Sequence, residues 1–286
     1  MLPGGKAAWR KWILQRRERE KVMKPLKVLV ACEESQVETL AFREAGHEAY
    51  SCDVIDCSGG HPEWHIKWDA LALIDGNCSF MTCDGKLHHI DGQWDLLIAH
   101  PPCTFLTSAG AIRLFNPDHT IKSQERWEEG VKAAEFFMRF INAKCEKIAV
   151  ENPVPMKCFG LPKYSQVTNP NMFGDPWLKR TCWWLKNLPK LMPTNPVEAK
   201  GLWVGSTSKR RDPTVAERYE LKSHRDKKRR SKSFAGTARA MVEQWACTKD
   251  ILEQKQVELK KRLPEYAVPF EELPGQMELT DEDLDV

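Results

Sequence analysis

Leu26-Lys27-Val28-Leu29-Val30-Ala31, then Cys32-Glu33-Glu34-Ser35-Gln36, then Val37 through Ala45 ahead of Gly46, is the stretch that decides the fold. An apolar run interrupted only by Lys27 is what a central parallel strand, buried on both faces, requires. Val37 to Ala45 reads as a helix that Gly46 closes. Ala49-Tyr50-Ser51-Cys52 then reads as a second strand ending at Asp53. Strand, loop, helix, strand is the opening of an α/β fold. A carboxylate at the end of the second strand is how ribose hydroxyls of a nucleoside are commonly held. The glycine-rich phosphate fingerprint is absent from the first turn, which argues against a dinucleotide because no pyrophosphate needs close backbone approach.

The chain of 286 residues is long enough for one large α/β domain with a smaller appendage, and 42% hydrophobic residues suffice for its core. It has no run of about 18 apolar residues and no apolar signal core behind its basic start, so a cytoplasmic location is expected, with no membrane partner. The ten cysteines follow no disulfide framework and read as reduced, mostly buried thiols. Net charge is only +3, but it is unevenly spread. Residues 1–24 carry eight Lys or Arg against Glu18 and Glu20, and read as a basic helix from 6 to 24 with Trp9, Trp12 and Ile13 on one side. Residues 200–232 hold twelve basic against four acidic side chains, among them Arg210, Arg211, Lys227, Lys228, Arg229 and Arg230. Residues 265–286 hold eight acids and no base. Such a distribution is that of a polyanion binder with an acidic tail.

Outward from the opening unit, His65-Ile66-Lys67-Trp68-Asp69 reads as a third short strand with an acid at its end. Cys78, Cys83, His88 and His89 do not have a standard zinc spacing, and Asp84-Gly85 between alternating runs reads as a hairpin turn instead, so no metal is expected. Trp94 to His100 is another buried strand, opening into Pro101-Pro102-Cys103 and a small, polar loop from Thr104 to Gly110 that suits a mobile closing segment. Ser123 caps a long helix whose stripe Trp127, Val131, Ala134, Met138 and Ile141 packs on the sheet. Lys147 to Val150 is a further strand, ending in Glu151-Asn152-Pro153. In open α/β sheets, chemistry sits at these carboxyl ends, so a thiol and a carboxylate face one crevice. Cys182 to Leu185 is a late strand, and Phe234 to Trp245 leads through a Gly-containing turn into a helix.

The Pro-Pro-Cys and Glu-Asn-Pro motifs, in this order, resemble the Pro-Cys and Glu-Asn signatures of the DNA cytosine-5 methyltransferases, especially compact bacteriophage-type members; the likeness spans about residues 27–246. The resemblance implies a Rossmann-like S-adenosylmethionine-dependent methyltransferase fold, with a mostly parallel sheet and helices on both faces. It implies Cys103 as nucleophile at carbon 6 of a flipped-out cytosine in DNA, Glu151 as the acid at ring nitrogen 3, and Asn152 as positioner of the loop. A thiolate is both a strong nucleophile and a good leaving group near neutral pH, and a carboxyl in a dry pocket can keep a proton. Asp53, Asp69, Glu33, Ser35 and Pro101 would contact S-adenosyl-L-methionine. Phe173-Gly174-Asp175-Pro176 to Thr181 is similar to the family's Tyr-Gly-x-Pro-Gln-x-Arg-x-Arg segment.

Two departures stand out. The family's two arginines fall on Lys179 and Thr181, so contact to the base oxygen comes from Lys179, Arg180 or Thr181 or is missing. Gln36 stands where the family usually has glycine. The expected organisation is a basic helix (1–25), a catalytic core (26–185), a short basic recognition region (186–232) holding the DNA-binding run, a return helix (233–248), and a charged helix with acidic tail (249–286). Alternatives are a non-catalytic DNA-binding homologue, an amino-methyltransferase, for which Cys103 stands where an aromatic is needed, and transfer of another group. No obligate protein partner is evident.

Overall fold

Among the described residues nine strands follow one another: β1 (Lys27–Ala31), β2 (Glu48–Asp53), β3 (His65–Lys67), the hairpin β4 (Cys78–Met81) and β5 (Leu87–Ile90), β6 (Leu96–Ala99), β7 (Ile148–Asn152), β8 (Gln166–Thr168) and β9 (Thr181–Lys186). The helices are α1 (Val37–Glu44), α2 (Ala111–Leu114), α3 (Gln124–Ile141) and α4 (Ala235–Trp245). The structure, a computed structural model, describes residues 25–199 and 233–246. The expected basic N-terminal helix, the run containing Arg210, Arg211 and Lys227 to Arg230, the charged helix and the acidic tail lie outside the described residues.

Seven strands form one sheet in the order β3-β2-β1-β6-β7-β9-β8. β1, β2, β3, β6 and β7 are parallel, and β9 runs antiparallel to both of its neighbours. This is a doubly wound, Rossmann-like sheet whose order reverses between β1 and β6, and ligands of such sheets bind outside the strand ends at that reversal.

Side chains alternate across the sheet. Val28, Val30, Leu96, Ile98, Ala149 and Trp183 pack with Phe42 of α1 and Met241 and Trp245 of α4 on one face. Leu29, Leu97, Ile148, Val150 and Trp184 pack with Phe137 and Phe140 of α3 on the other. The central runs are apolar throughout because both faces are covered. The hairpin forms around Asp84-Gly85 as expected, with Cys78 paired to Ile90.

Four local expectations need correcting. Ser123 caps α3, its hydroxyl accepting from the Arg126 amide at 3.2 Å, but the buried stripe is Gly130, Ala134, Phe137 and Phe140, and Val131 is 38% exposed. Gly130 is buried because Phe159 lies against it, where a Cβ would overlap the ring. β8 has only three residues and no apolar period in the sequence announces it. The Thr104–Gly110 segment contains a 3-10 turn, Ser108–Gly110, which runs straight into α2. Finally, among the described cysteines burial claims only Cys52, Cys145 and Cys182; Cys83 and Cys158 are exposed.

Candidate active site

Four chain segments meet at the carboxyl ends of β1, β2, β6 and β7. After β1 the chain turns through Cys32 and Gln36, both with left-handed backbone (φ 58° and 60°), a region most side chains avoid. Gln36 is fully buried, and its amide exchanges hydrogen bonds with the His61 backbone, donating to the carbonyl at 2.9 Å and accepting at 3.1 Å. A residue type that tolerates this conformation poorly is thus held by two bonds, which also tether the segment beyond Asp53. The left-handed turn explains why glycine suits the position.

Glu33, Ser35, Asp53 and His100 line a cleft of about 750 Å³ together with Glu34 and Asp56. Their convergence follows from topology: β1 and β2 pair so that Ala31 faces Cys52, and β1 and β6 so that Ala31 faces Ala99. Glu33 has a second task. One carboxyl oxygen accepts from the Glu38 amide at 2.8 Å and the other from the Thr39 hydroxyl at 2.6 Å, capping α1. Burial, with the Glu38 charge beside it, pushes its carboxyl well above the usual range. Asp69 does not line the cleft. It is exposed, and its side chain caps the 3-10 turn Ala70–Ala72 by accepting from the Leu71 amide at 2.9 Å. The carboxylate thus caps this turn, and its charge still lies near Cys32, which lines the cleft.

The Pro-Pro-Cys and Glu-Asn segments are joined. β6 and β7 are neighbours, with Ala99 opposite Val150. The Asn152 amide donates to the buried Pro101 carbonyl at 2.9 Å. Beyond it, Met156 N–H donates to Leu106 C=O at 2.7 Å and Ser108 N–H to Val154 C=O at 3.0 Å. The Cys103 carbonyl accepts from Leu106 and Thr107, both at 3.1 Å, closing a tight turn. Arg126 of α3 reaches the Thr104 carbonyl at 2.7 Å and lies over the Phe105 ring. The segment expected to be a mobile closure is therefore laced to β7's exit loop and to α3.

A smaller cavity beside the cleft is lined by Glu38, His100, Glu151, Lys179, Thr181 and Trp183. Cys103 lines neither cavity. Alternation along the chain decides which of three candidate side chains faces Glu151: Lys179, Thr181 and Trp183 share a face, and Arg180 falls on the other. The Thr181 hydroxyl donates to the Lys179 carbonyl at 3.0 Å, so the nearby cationic group is Lys179.

Charge in this cavity is arranged around His100, a residue the sequence did not single out. Its Nε2 lies 3.4 Å from Glu38 Oε1 and its Nδ1 3.5 Å from Glu151 Oε2; the imidazole and the Glu151 side chain are each 14% exposed and Glu38 is 1%. Burial works against a charged ring, but Glu38 first, then the contacts with Glu151, hold the imidazolium up to about 10. Burial likewise opposes a charged Glu38, and His100 with help from Glu33 and Ser233 brings it down to about 2. Glu151 is also buried, yet Lys179 and then His100 keep it below the usual carboxylate range. Glu151 is therefore held toward its charged form, where a dry pocket alone would favour the protonated one. The signal for His100 was a titratable residue directly before Pro-Pro at the end of an otherwise apolar strand. Glu38 gave none, since an acid in a helix's first turn is ordinary.

No protein-family model matches the chain, and no curated protein is similar to it. Among solved structures, the crystal structure of an rRNA methylase from Escherichia coli aligns with a TM-score of 0.26 at 13% identity, over 62% of this chain and 62% of that one. Among the described residues no helix is long and apolar enough to cross a membrane, and no group of three or more metal-ligating side chains is present.

Proposed function

We propose that the protein transfers a methyl group from S-adenosylmethionine to carbon 5 of cytosine in DNA. The observation that carries this reading is the bond from the Asn152 amide to the Pro101 carbonyl, which ties the Pro-Pro-Cys turn to the strand bearing Glu151. A loose pair of motifs would have no need of it.

The cleft fits the cofactor by size and charge. Small-molecule sites commonly span about 300 to 1,000 Å³, and this one is about 750 Å³. Its lining carries Glu34, Asp53 and Asp56, which repel a nucleoside phosphate and suit a sulfonium cation. Asp53, at the end of β2, is in position to accept hydrogen bonds from ribose hydroxyls, beside the apolar Ile55. When bound, S-adenosylmethionine supplies an electrophilic methyl group.

Cytosine inside a duplex hides its reacting carbons, so the base must turn out of the stack to be reached. Cys103 adds as a thiolate to carbon 6, raising electron density at carbon 5. Glu151 holds the ring nitrogen 3 and exocyclic amine edge, and Lys179 meets the base carbonyl oxygen in place of the family's arginine. With the methyl group on carbon 5, loss of the carbon 5 proton to water restores the ring double bond and expels the thiolate. The basic runs at 1–24 and 200–232 supply phosphate neutralisation.

A duplex carrying 5-fluorocytosine tests the covalent step. With S-adenosylmethionine it should trap a protein–DNA species stable to denaturing gels, because fluorine cannot leave as a proton does, and Cys103→Ala should trap none. Methyl transfer without a trapped species would point to amino-group chemistry instead.

A further inference from the structure

His100 stands between the two cavities and lines both. We infer that His100 is a positioning residue that acts through Glu151 as its proton store, giving a proton to the carboxylate as the base is activated and taking it back when the base is released. This rests on the methyl-transfer reading above.

His100 touches both halves of the site: it lines the cofactor cleft and the base-side cavity, and so does Ser233. Its two ring nitrogens face two different carboxylates, Glu38 of α1 at 3.4 Å and Glu151 of β7 at 3.5 Å. Glu33 stands behind Glu38, Lys179 reaches toward Glu151, and the Trp183 ring presents its edge 6.3 Å from the imidazole. These are the charged and aromatic groups that the elements packed around the ring direct at it. Nε2 is buried without a hydrogen-bond partner of good geometry, so the ring is clamped by charge rather than locked by a short bond. A ring held this way can shift its proton toward one side without breaking a strong bond.

The need for a store follows from the charge of Glu151. When a thiolate adds to carbon 6, negative charge develops on the ring and nitrogen 3 must gain a proton. A Glu151 held toward its charged form has none to give, and Lys179 beside it favours that form. His100 Nδ1 is the adjacent donor. The proton moves from Nδ1 to Glu151 Oε2 and on to nitrogen 3, leaving a neutral imidazole and an anionic carboxylate. On elimination, nitrogen 3 returns it by the same path. Glu38 remains ionised throughout, and its charge draws the proton back to the ring. No proton is gained or lost over the cycle by these groups.

The test compares the parent with His100→Asn and Glu38→Gln. Side-chain nitrogen NMR of labelled histidine, which needs no activity, should find a fully protonated ring at His100 through neutral pH in the parent and a lowered titration in Glu38→Gln. His100→Asn should reduce kcat at pH 7.5 by roughly a hundredfold, the scale of a lost proton donor. Its remaining rate should rise as pH falls, because solvent then protonates Glu151. Glu38→Gln should move the alkaline limb of kcat down by a unit or more. A neutral ring at pH 7.5, or a His100→Asn profile parallel to the parent's, overturns the inference. Should His100→Asn not fold, an unmoved alkaline limb in Glu38→Gln overturns it as well. A protonated, clamped ring in a protein that transfers no methyl group would instead sink the methyl-transfer reading and leave the clamp standing.

Discussion

Glu151 sits at the point where two opposing effects on a carboxyl are both large. Burial alone would protonate it, and Lys179 with His100 reverses that. Removing the charge while keeping the shape is therefore informative. Glu151→Gln should lower the rate of the chemical step about a hundredfold, as loss of an acid–base group does, while cofactor affinity stays near the parent's because the cleft proposed for the cofactor is lined by other residues. Single-turnover kinetics and calorimetry on the same preparation separate the two. An unchanged rate would remove Glu151 from proton handling. His100 and Glu38 escaped the sequence because their meaning lies in contacts between α1, β6 and β7, and no local pattern encodes which distant carboxylate an imidazole will meet. Glu33 and Asp69 stand where cofactor ligands stand, and each also has a local structural bond that the sequence does not announce: Glu33 to the Glu38 amide and the Thr39 hydroxyl, Asp69 to the Leu71 amide.

At the scale of elements, the closing contact is α4 against the loop after β8. Phe234 caps α4 without using its side chain; the Gly236 amide is instead satisfied from outside, by Asp175 at 3.0 Å. Gly236 is also where that loop comes nearest, since a Cβ there would overlap the Phe173 carbonyl oxygen. Alanine in place of glycine normally favours a helix by about 1 kcal/mol. Here the clash is with backbone, so Gly236→Ala should destabilise the protein by about 1–3 kcal/mol, the usual cost of overpacking. Urea denaturation checks the sign, and a stabilised variant would mean that α4 can lift off the loop at no cost. The elements that the sequence revealed, β1-α1-β2 and the two strands leading to Cys103 and Glu151, are announced by continuous apolar runs and local caps. β8 has three residues, too few for a period to register. The stripe on α3 was misphased because Gly130 contributes no apolar side chain; its value is the notch that admits Phe159.

For the whole molecule, the clamp around His100 links folding to pH. The ring's pKa is raised on folding, so the stability it contributes is complete below its unfolded value near 6.5, declines above that and is gone once pH passes about 10. Glu38 works at the other end: its contribution is present above pH 4.5 and is lost as pH falls toward about 2. Thermal melts of the parent and His100→Asn should therefore differ most near pH 6 and converge by pH 10. A gap that stays constant across that range would mean that the ring is not charged in the folded state. The same sheet reversal that brings His100 to two carboxylates also brings the acid-lined cleft beside Glu151, so cofactor and base would meet across one strand end. The account's central claim, methyl transfer to carbon 5 of cytosine, is tested most directly by mass spectrometry of nucleosides released from DNA incubated with the protein and S-adenosylmethionine labelled in its methyl group. The account predicts label in 5-methylcytosine, absent with Cys103→Ala; label in an amino-methylated base, or none in a protein that binds the cofactor and DNA, would contradict it.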